Sequence, residues 1–254
     1  MTQKFNALCI RSVSWRESDK LISLFTLENG KVDCVVRGAM GAKSKWRFAA
    51  EPFCFAEYVL TEKFGKLTLS EANQIDGFYG LRYDMDKLYA ASAVLEFVRQ
   101  CVYENVRSYE LFLLTVSSLK AVETGAYPYL SLVRYLAEAL KLIGYGARFD
   151  VCHVCGEKPK DRVFFDFDAA APVCEDCFAG GLSEMRTSTL SLINAAIALP
   201  VDHFKNPDAS AYAEILKEDR SVYFALKFLA YYMDIKAGIT LRSVSDILGD
   251  FSEK

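Results

Sequence analysis

Histidine is almost absent from this chain: two residues, His153 and His203, in 254. A Ser/His/Asp or Cys/His arrangement therefore has few candidate bases, and neither histidine sits in a recognisable catalytic motif. No uninterrupted apolar run approaches the roughly 18 residues that a membrane-spanning helix needs. The N-terminus, MTQKFNALCIRS, lacks the apolar core of a secretory signal. These absences lead to the expectation of a non-enzymatic, cytoplasmic protein with no membrane partner. In that reducing compartment Cys9, Cys34, Cys54 and Cys101, each among apolar neighbours, read as small core residues rather than bridges. Net charge is also small, −3, and by itself argues against a wholly basic nucleic-acid binder.

The charge is unevenly spread. Through Phe48 there are nine Lys and Arg against four Asp and Glu, a net of +5, which leaves −8 for the rest of a chain totalling −3. A basic segment in an otherwise acidic protein points to one face that meets a polyanion.

Four of the eight cysteines fall in two pairs, CHVC at Cys152 and Cys155 and CEDC at Cys174 and Cys177, with eighteen residues between the pairs. That spacing gathers four thiolates around one tetrahedral Zn²⁺, and Gly156 lets the first knuckle turn beneath the metal. Reduced thiols or two disulfides are the alternatives. Neither pair opens a helix in a thioredoxin-like pattern, which argues against a redox role. A closed shell of four thiolates has no position for substrate, so one Zn²⁺ per chain would be structural, with His153 a bystander.

Periodicity divides the chain. From Phe5 to about Ala72 the pattern alternates, as in KVDCVVR, and predicts five strands at 5 to 13, 20 to 27, 31 to 38, 52 to 61 and 66 to 72, with ENG before Lys31 as a hairpin turn. Five short antiparallel strands fit an OB-fold barrel. After Gly80 the period lengthens to 3.6, predicting helices from Met85 to Val102, Ser108 to Glu123 and Pro128 to Ile143, then at 187 to 198, 209 to 218, 220 to 237 and 240 to 249. The fold class is thus α+β: a barrel domain over 1–80 and an all-α domain over 81–254, the latter interrupted by the cysteine module at about 150–181.

Arg37, Lys43, Lys45 and Arg47 form the densest cationic cluster, in the long segment after the third strand, with Trp46 and Phe48 interleaved. Cations pair with phosphates and aromatic rings stack on unpaired bases, so the cluster suits single-stranded nucleic acid. The other reading is a solvated loop whose rings fold back onto the barrel. Arg16 joins the candidates from the preceding loop. Gly38, Gly41, Lys43 and Ser44 do not make a phosphate-binding P-loop, because Ala42 separates glycine from lysine and no helix is expected there. Asp166 and Asp168 in FFDFDAA read as an exposed strand face. Leu130, Val133, Leu136, Leu140 and Ile143 read as bundle core, with Arg134 and Lys141 beside that stripe as possible rims of a groove for an acidic peptide.

The order of parts resembles the bacterial RecO family of recombination mediators, in its zinc-bearing branch. The resemblance rests on RESDKLISLFTLENGK, VVRGAMGAKSK, the PF-x-F that starts the next strand, LRYDMDKLYAASAVLE and LIGYGARFDVCHVCG, and spans nearly the whole chain. It implies a nucleoid-associated activity without catalysis: binding single-stranded and duplex DNA, annealing strands, and working with RecR to load RecA on DNA coated by single-stranded-DNA-binding protein, whose acidic tail the helical domain would receive. The DNA role carries over to Arg37, Lys43 and Lys45, and to Lys20. Arg47, Trp46 and Arg16 rest on the residues alone. A zinc-stabilised scaffold whose barrel binds protein instead is the competing expectation.

Overall fold

The computed structural model describes residues 2–198 and 220–253. The helix expected at 209–218, and His203, lie outside the described residues. By residue contacts the chain forms two compact units: residues 1–83 with 95–119, and 84–94 with 120–254.

The first unit is built on a closed barrel of β1 (Thr2–Trp15), β2 (Asp19–Thr26), β3 (Gly30–Val36), β4 (Phe55–Lys63) and β5 (Lys66–Asp76). The strand order is β1-β2-β3-β5-β4, closed by β1 against β4. Every pairing is antiparallel except β3 with β5, where Val35 meets Thr68. This is the OB-fold topology that the alternating pattern implied. Alternation fills the barrel from one face of each strand: Ile22 and Leu24, Val32, Cys34 and Val36, Ala56, Tyr58 and Leu60 are all buried. β1 runs past a register shift between Cys9 and Arg11, and β5 past a second between Val59 and Leu60 of its partner, which bends both around the closure. Cys9, Cys34 and Cys54 are buried free thiols, as expected, and burial raises all three above the ordinary thiol range, whereas Cys101 is free but only half-buried.

The turn between β2 and β3 is fixed by chemistry. Buried Thr26 donates its hydroxyl to the Gly30 carbonyl at 2.9 Å and accepts the Asn29 N–H at 2.9 Å. Gly30 has φ +68°, and a Cβ there would lie 2.3 Å from the Val106 carbonyl oxygen. Only glycine fits. In the same unit Phe112 packs edge-on against Phe25 and Phe55, with ring centroids 5.2 and 5.9 Å apart.

The helices are α1 (Met85–Cys101), α2 (Tyr109–Thr124), α3 (Pro128–Leu142), α4 (Thr187–Ala198), α5 (Ser221–Ala237) and α6 (Arg242–Glu253). Pro128 opens α3 at its first turn, where its missing N–H is harmless, and Gly238 closes α5 at φ +65°. Leu130, Val133, Leu136 and Leu140 are buried core, as the stripe predicted, whereas Ile143, at the C-cap of α3, is only half-buried. α1 differs from its predicted stripe: Met85 is exposed, whereas Ala90 through Val98 are buried apart from Ser92 and Glu96.

Between α3 and α4 lies a three-stranded sheet of β6 (Val163–Asp166), β7 (Ala171–Cys174) and β8 (Ser183–Met185), in the order β7-β6-β8. Phe165 and Phe167 of this module meet Phe228 and Tyr232 of α5 edge-on, tilted or stacked, at centroid distances of 4.8 to 6.2 Å.

Candidate nucleic-acid interface and metal centre

The segment 37–54 is long but not loose. It folds as successive tight turns (Gly41 N–H to Gly38, Ser44 N–H to Gly41, Arg47 N–H to Ser44, Ala50 N–H to Arg47), ending in a 3₁₀ turn at Phe48–Ala50. Ala39, Ala49 and Ala50 drop into the barrel core. Four polar ties hold it: Asp19 Oδ1 accepts the Gly38 N–H at 2.9 Å, Ser18 O accepts the Met40 N–H at 2.9 Å, fully buried Tyr58 donates its hydroxyl to Ala49 O at 2.9 Å, and Lys20 Nζ pairs with Glu51 at 2.8 Å. No helix begins after Lys43, consistent with the rejected P-loop reading.

What this packing leaves outside is cationic. Arg37, Lys43, Lys45 and Arg47 are exposed, as is Arg16 in the adjoining β1–β2 turn, and among the described residues none of them forms an ion pair. Two predicted site residues are engaged internally. Lys20, its side chain 19% exposed, is neutralised by Glu51. Trp46 lies half-buried against the barrel core, with Lys45 Nζ 4.4 Å from its ring centroid. Phe48 folds back in the same way.

Beside Arg47 the barrel unit has a cavity of about 540 Å³ lined by Arg47, Phe48, Glu51, Gly77, Tyr79 and Arg82, among others. Arg82 is anchored by donating to Gly77 O and Pro52 O, and its guanidinium lies 5.5 Å from the ring centroid of half-exposed Tyr79. Two cations and an exposed ring lining one cavity suit a nucleotide. Sequence reasoning missed Arg82 and Tyr79 because each is isolated from the basic cluster in the chain.

In the second unit the sulfurs of Cys152, Cys155, Cys174 and Cys177 all lie within 4.8 Å of one another. Cys155 and Cys174 are 3.7 Å apart, close to the separation of about 3.8 Å set by a tetrahedron with metal–sulfur bonds of about 2.3 Å. The first knuckle is closed by the Gly156 N–H on the Cys152 carbonyl at 2.9 Å, with Gly156 at φ +78°. Behind the sulfurs Phe164 stacks on Phe178 at 3.6 Å, and Arg162 lies 5.3 Å from the Phe164 ring centroid while holding Glu184 through two hydrogen bonds of 3.0 and 2.9 Å.

The electrostatics of the cluster suit a cation. Burial opposes ionisation of Cys152, but backbone N–H groups of Cys155, Cys174 and Val154 outweigh it and bring its thiol down to about 6. Hydrogen bonding to Cys174, with burial and the other two sulfurs, pushes Cys177 up to about 12. Crowded thiols resist sharing several negative charges until a positive ion joins them. These four residues would hold a metal ion. His153 is not part of the set: its Nε2 lies 3.4 Å from Asp166. Asp166 ends β6, as expected of a strand residue, but Asp168 lies in the turn beyond it, and the Asp166 carboxylate caps that turn by accepting the N–H groups of Asp168 and Ala169 at 2.8 and 3.0 Å. On α3 Arg134 is half-buried and Lys141 exposed.

A closed OB-fold barrel and a helical unit carrying a four-thiol knuckle able to hold a metal ion define a class of modular, barrel-bearing proteins. The chain belongs to the RecO family of DNA repair proteins. The family model for the recombination protein O N terminus matches residues 1–78, and that for its C terminus matches residues 82–241. Among curated relatives, DNA repair protein RecO of Desulfitobacterium hafniense is 35% identical over 179 residues, 70% of this chain and 65% of the relative. The proteins of the same name from Clostridium novyi and Myxococcus xanthus are 31% and 32% identical, each over 68% of this chain and over 68% and 71% of their own lengths. The match thus spans slightly less than two thirds of the D. hafniense protein. No described helix is long and apolar enough to cross a membrane.

Proposed function

We propose that this chain acts without catalysis as a recombination mediator whose barrel binds single-stranded DNA, and duplex DNA through the same phosphates. The observation that carries the reading is the set of exposed cations left without ion pairs, Arg37, Lys43, Lys45 and Arg47, on a loop otherwise tied down at four points. With the loop backbone already fixed, only the side chains remain to be ordered when a phosphate arrives. Arg16 adjoins them, Arg82 and Tyr79 offer a place for a base, and Lys20 and Trp46 shape the loop. The metal in the knuckle is zinc, since four thiolates in a tetrahedral set select it, and its role is to hold the small sheet in place. Family membership supports annealing of complementary strands and, with RecR, loading of RecA on DNA coated by single-stranded-DNA-binding protein. The acidic tail of that protein would be received on α3 beside Arg134 and Lys141. Cytoplasmic, nucleoid-associated work follows from the same reading.

Replacing Lys43 and Lys45 together with Ala tests the DNA site. Each phosphate contact on a single strand contributes about 0.7 to the slope of log K against log salt. The double variant should bind every single-stranded sequence more weakly, with a slope shallower by about 1.4. Wild-type affinity and slope in the variant would favour the scaffold reading.

A further inference from the structure

The β4–β5 hairpin, away from the loop singled out above, carries three local costs at one tip. Its two-residue turn is Phe64–Gly65, both at positive φ, +52° and +70°. Such turns favour Asn-Gly, and a bulky side chain at positive φ is a backbone outlier. The Phe64 ring packs on nothing: the residue is 102% exposed, the most exposed of the large hydrophobic residues described. On either side Lys63 and Lys66 stand directly opposite each other in the ladder, where like charges repel. The hairpin's carboxylate, Glu62, ion-pairs with neither lysine among the described residues. Below the tip a groove of about 190 Å³ is lined by Lys63, Thr61, Thr68, Leu69 and Ser70, with Arg37 of the basic loop at its edge.

Two of these costs, the facing lysines and the bare ring, are relieved by the same ligand. A polyanion joins two lysines that otherwise repel, and an unpaired base covers a ring that otherwise faces water. Conformational strain at an exposed position points to function rather than to folding. We propose that the β4–β5 hairpin is a second contact for single-stranded DNA, in which Phe64 stacks on an unpaired base while Lys63 and Lys66 hold neighbouring phosphates. Through Arg37 the groove continues the strand's path from the basic loop. The loops between strands 1 and 2 and between strands 4 and 5 border the binding face of OB barrels in general, and here the first of these carries Arg16.

This assignment rests on the reading of the barrel as a single-strand binder, and its test separates the two. Affinities of the full chain for labelled oligothymidylate and for a labelled duplex of equal length would be measured across a salt series for wild type, Phe64→Ala and Phe64→Trp. Stacking on one base contributes enough that Phe64→Ala should weaken single-strand binding by about 5- to 150-fold. The salt slope should stay unchanged, because no phosphate contact is lost. Phe64→Trp should bind at least as well as wild type, and duplex affinity should not move, because paired bases offer no free face. Wild-type affinity in Phe64→Ala, alongside weakened binding in the Lys43/Lys45 variant, would overturn the hairpin contact and leave the barrel's function standing. An equal loss on the duplex would also overturn it. Failure of wild type to bind oligothymidylate at all would overturn both.

Discussion

Cys152 shows how one side chain is prepared for its role. It is fully buried, yet backbone N–H groups converge on its sulfur and favour the thiolate. Cys177, crowded by its neighbours, resists ionisation. A divalent ion would resolve the conflict by neutralising charge that the cluster cannot hold alone. Structural zinc in small modules is worth on the order of 10 kcal/mol of apparent folding free energy. Purified protein should therefore contain one zinc per chain, and Cys174→Ser should lose it, melt earlier and expose apolar surface. Elemental analysis together with thermal melting checks this; a variant that loses zinc at an unchanged melting temperature would show the knuckle to be peripheral. At the same scale the barrel's cations divide by partner. Lys4, Lys20 and Lys31 are paired with carboxylates, whereas Arg37, Lys43 and Arg47 are not. For Lys20 the chain gives no local sign of this division, because Glu51 lies thirty-one residues away.

At the scale of elements, the turn after β6 is held by one carboxylate. Asp166 accepts two N–H bonds and faces His153, and these contacts, the Ala169 N–H foremost, hold its pKa below the ordinary value. A depressed acid stabilises the fold above its unfolded pKa, and that contribution is lost as pH falls through the folded value. Wild type should therefore lose stability on acidification below about pH 4 more steeply than Asp166→Asn does. Melting temperatures of the two proteins across that range measure the difference. Parallel curves would show the cap to be without weight. Elements with one buried face were legible in the chain: the alternation of KVDCVVR gave β3, and the stripe from Leu130 to Leu140 gave the core of α3. α1 was legible as a helix but not in its burial, because alanines carry too weak a hydrophobic signal to mark a second face. The capping role of Asp166, at the end of β6, was not legible because capping depends on which backbone N–H groups fold back to it, not on period.

For the whole molecule, the sign of the net charge conceals how it is placed. On the proposed reading, a chain at −3 would meet DNA through its N-terminal fifth, which carries +5, the fold spending only some of those cations on internal pairs. The basic cluster and the knuckle were legible since their residues are neighbours in sequence. Arg82, Tyr79 and the Phe64 tip were not singled out, as their significance comes from closure of the barrel, which lines Arg47 and Arg82 along one cavity and Arg37 and Lys63 along another. A salt titration of the intact chain on a labelled single strand tests the central claim most directly. Four phosphate contacts, one for each exposed cation of the loop, predict a linear fall of log K with log salt at a slope of about −2.8 from that loop alone. A slope near zero, or no retention of the strand at low salt, would contradict it.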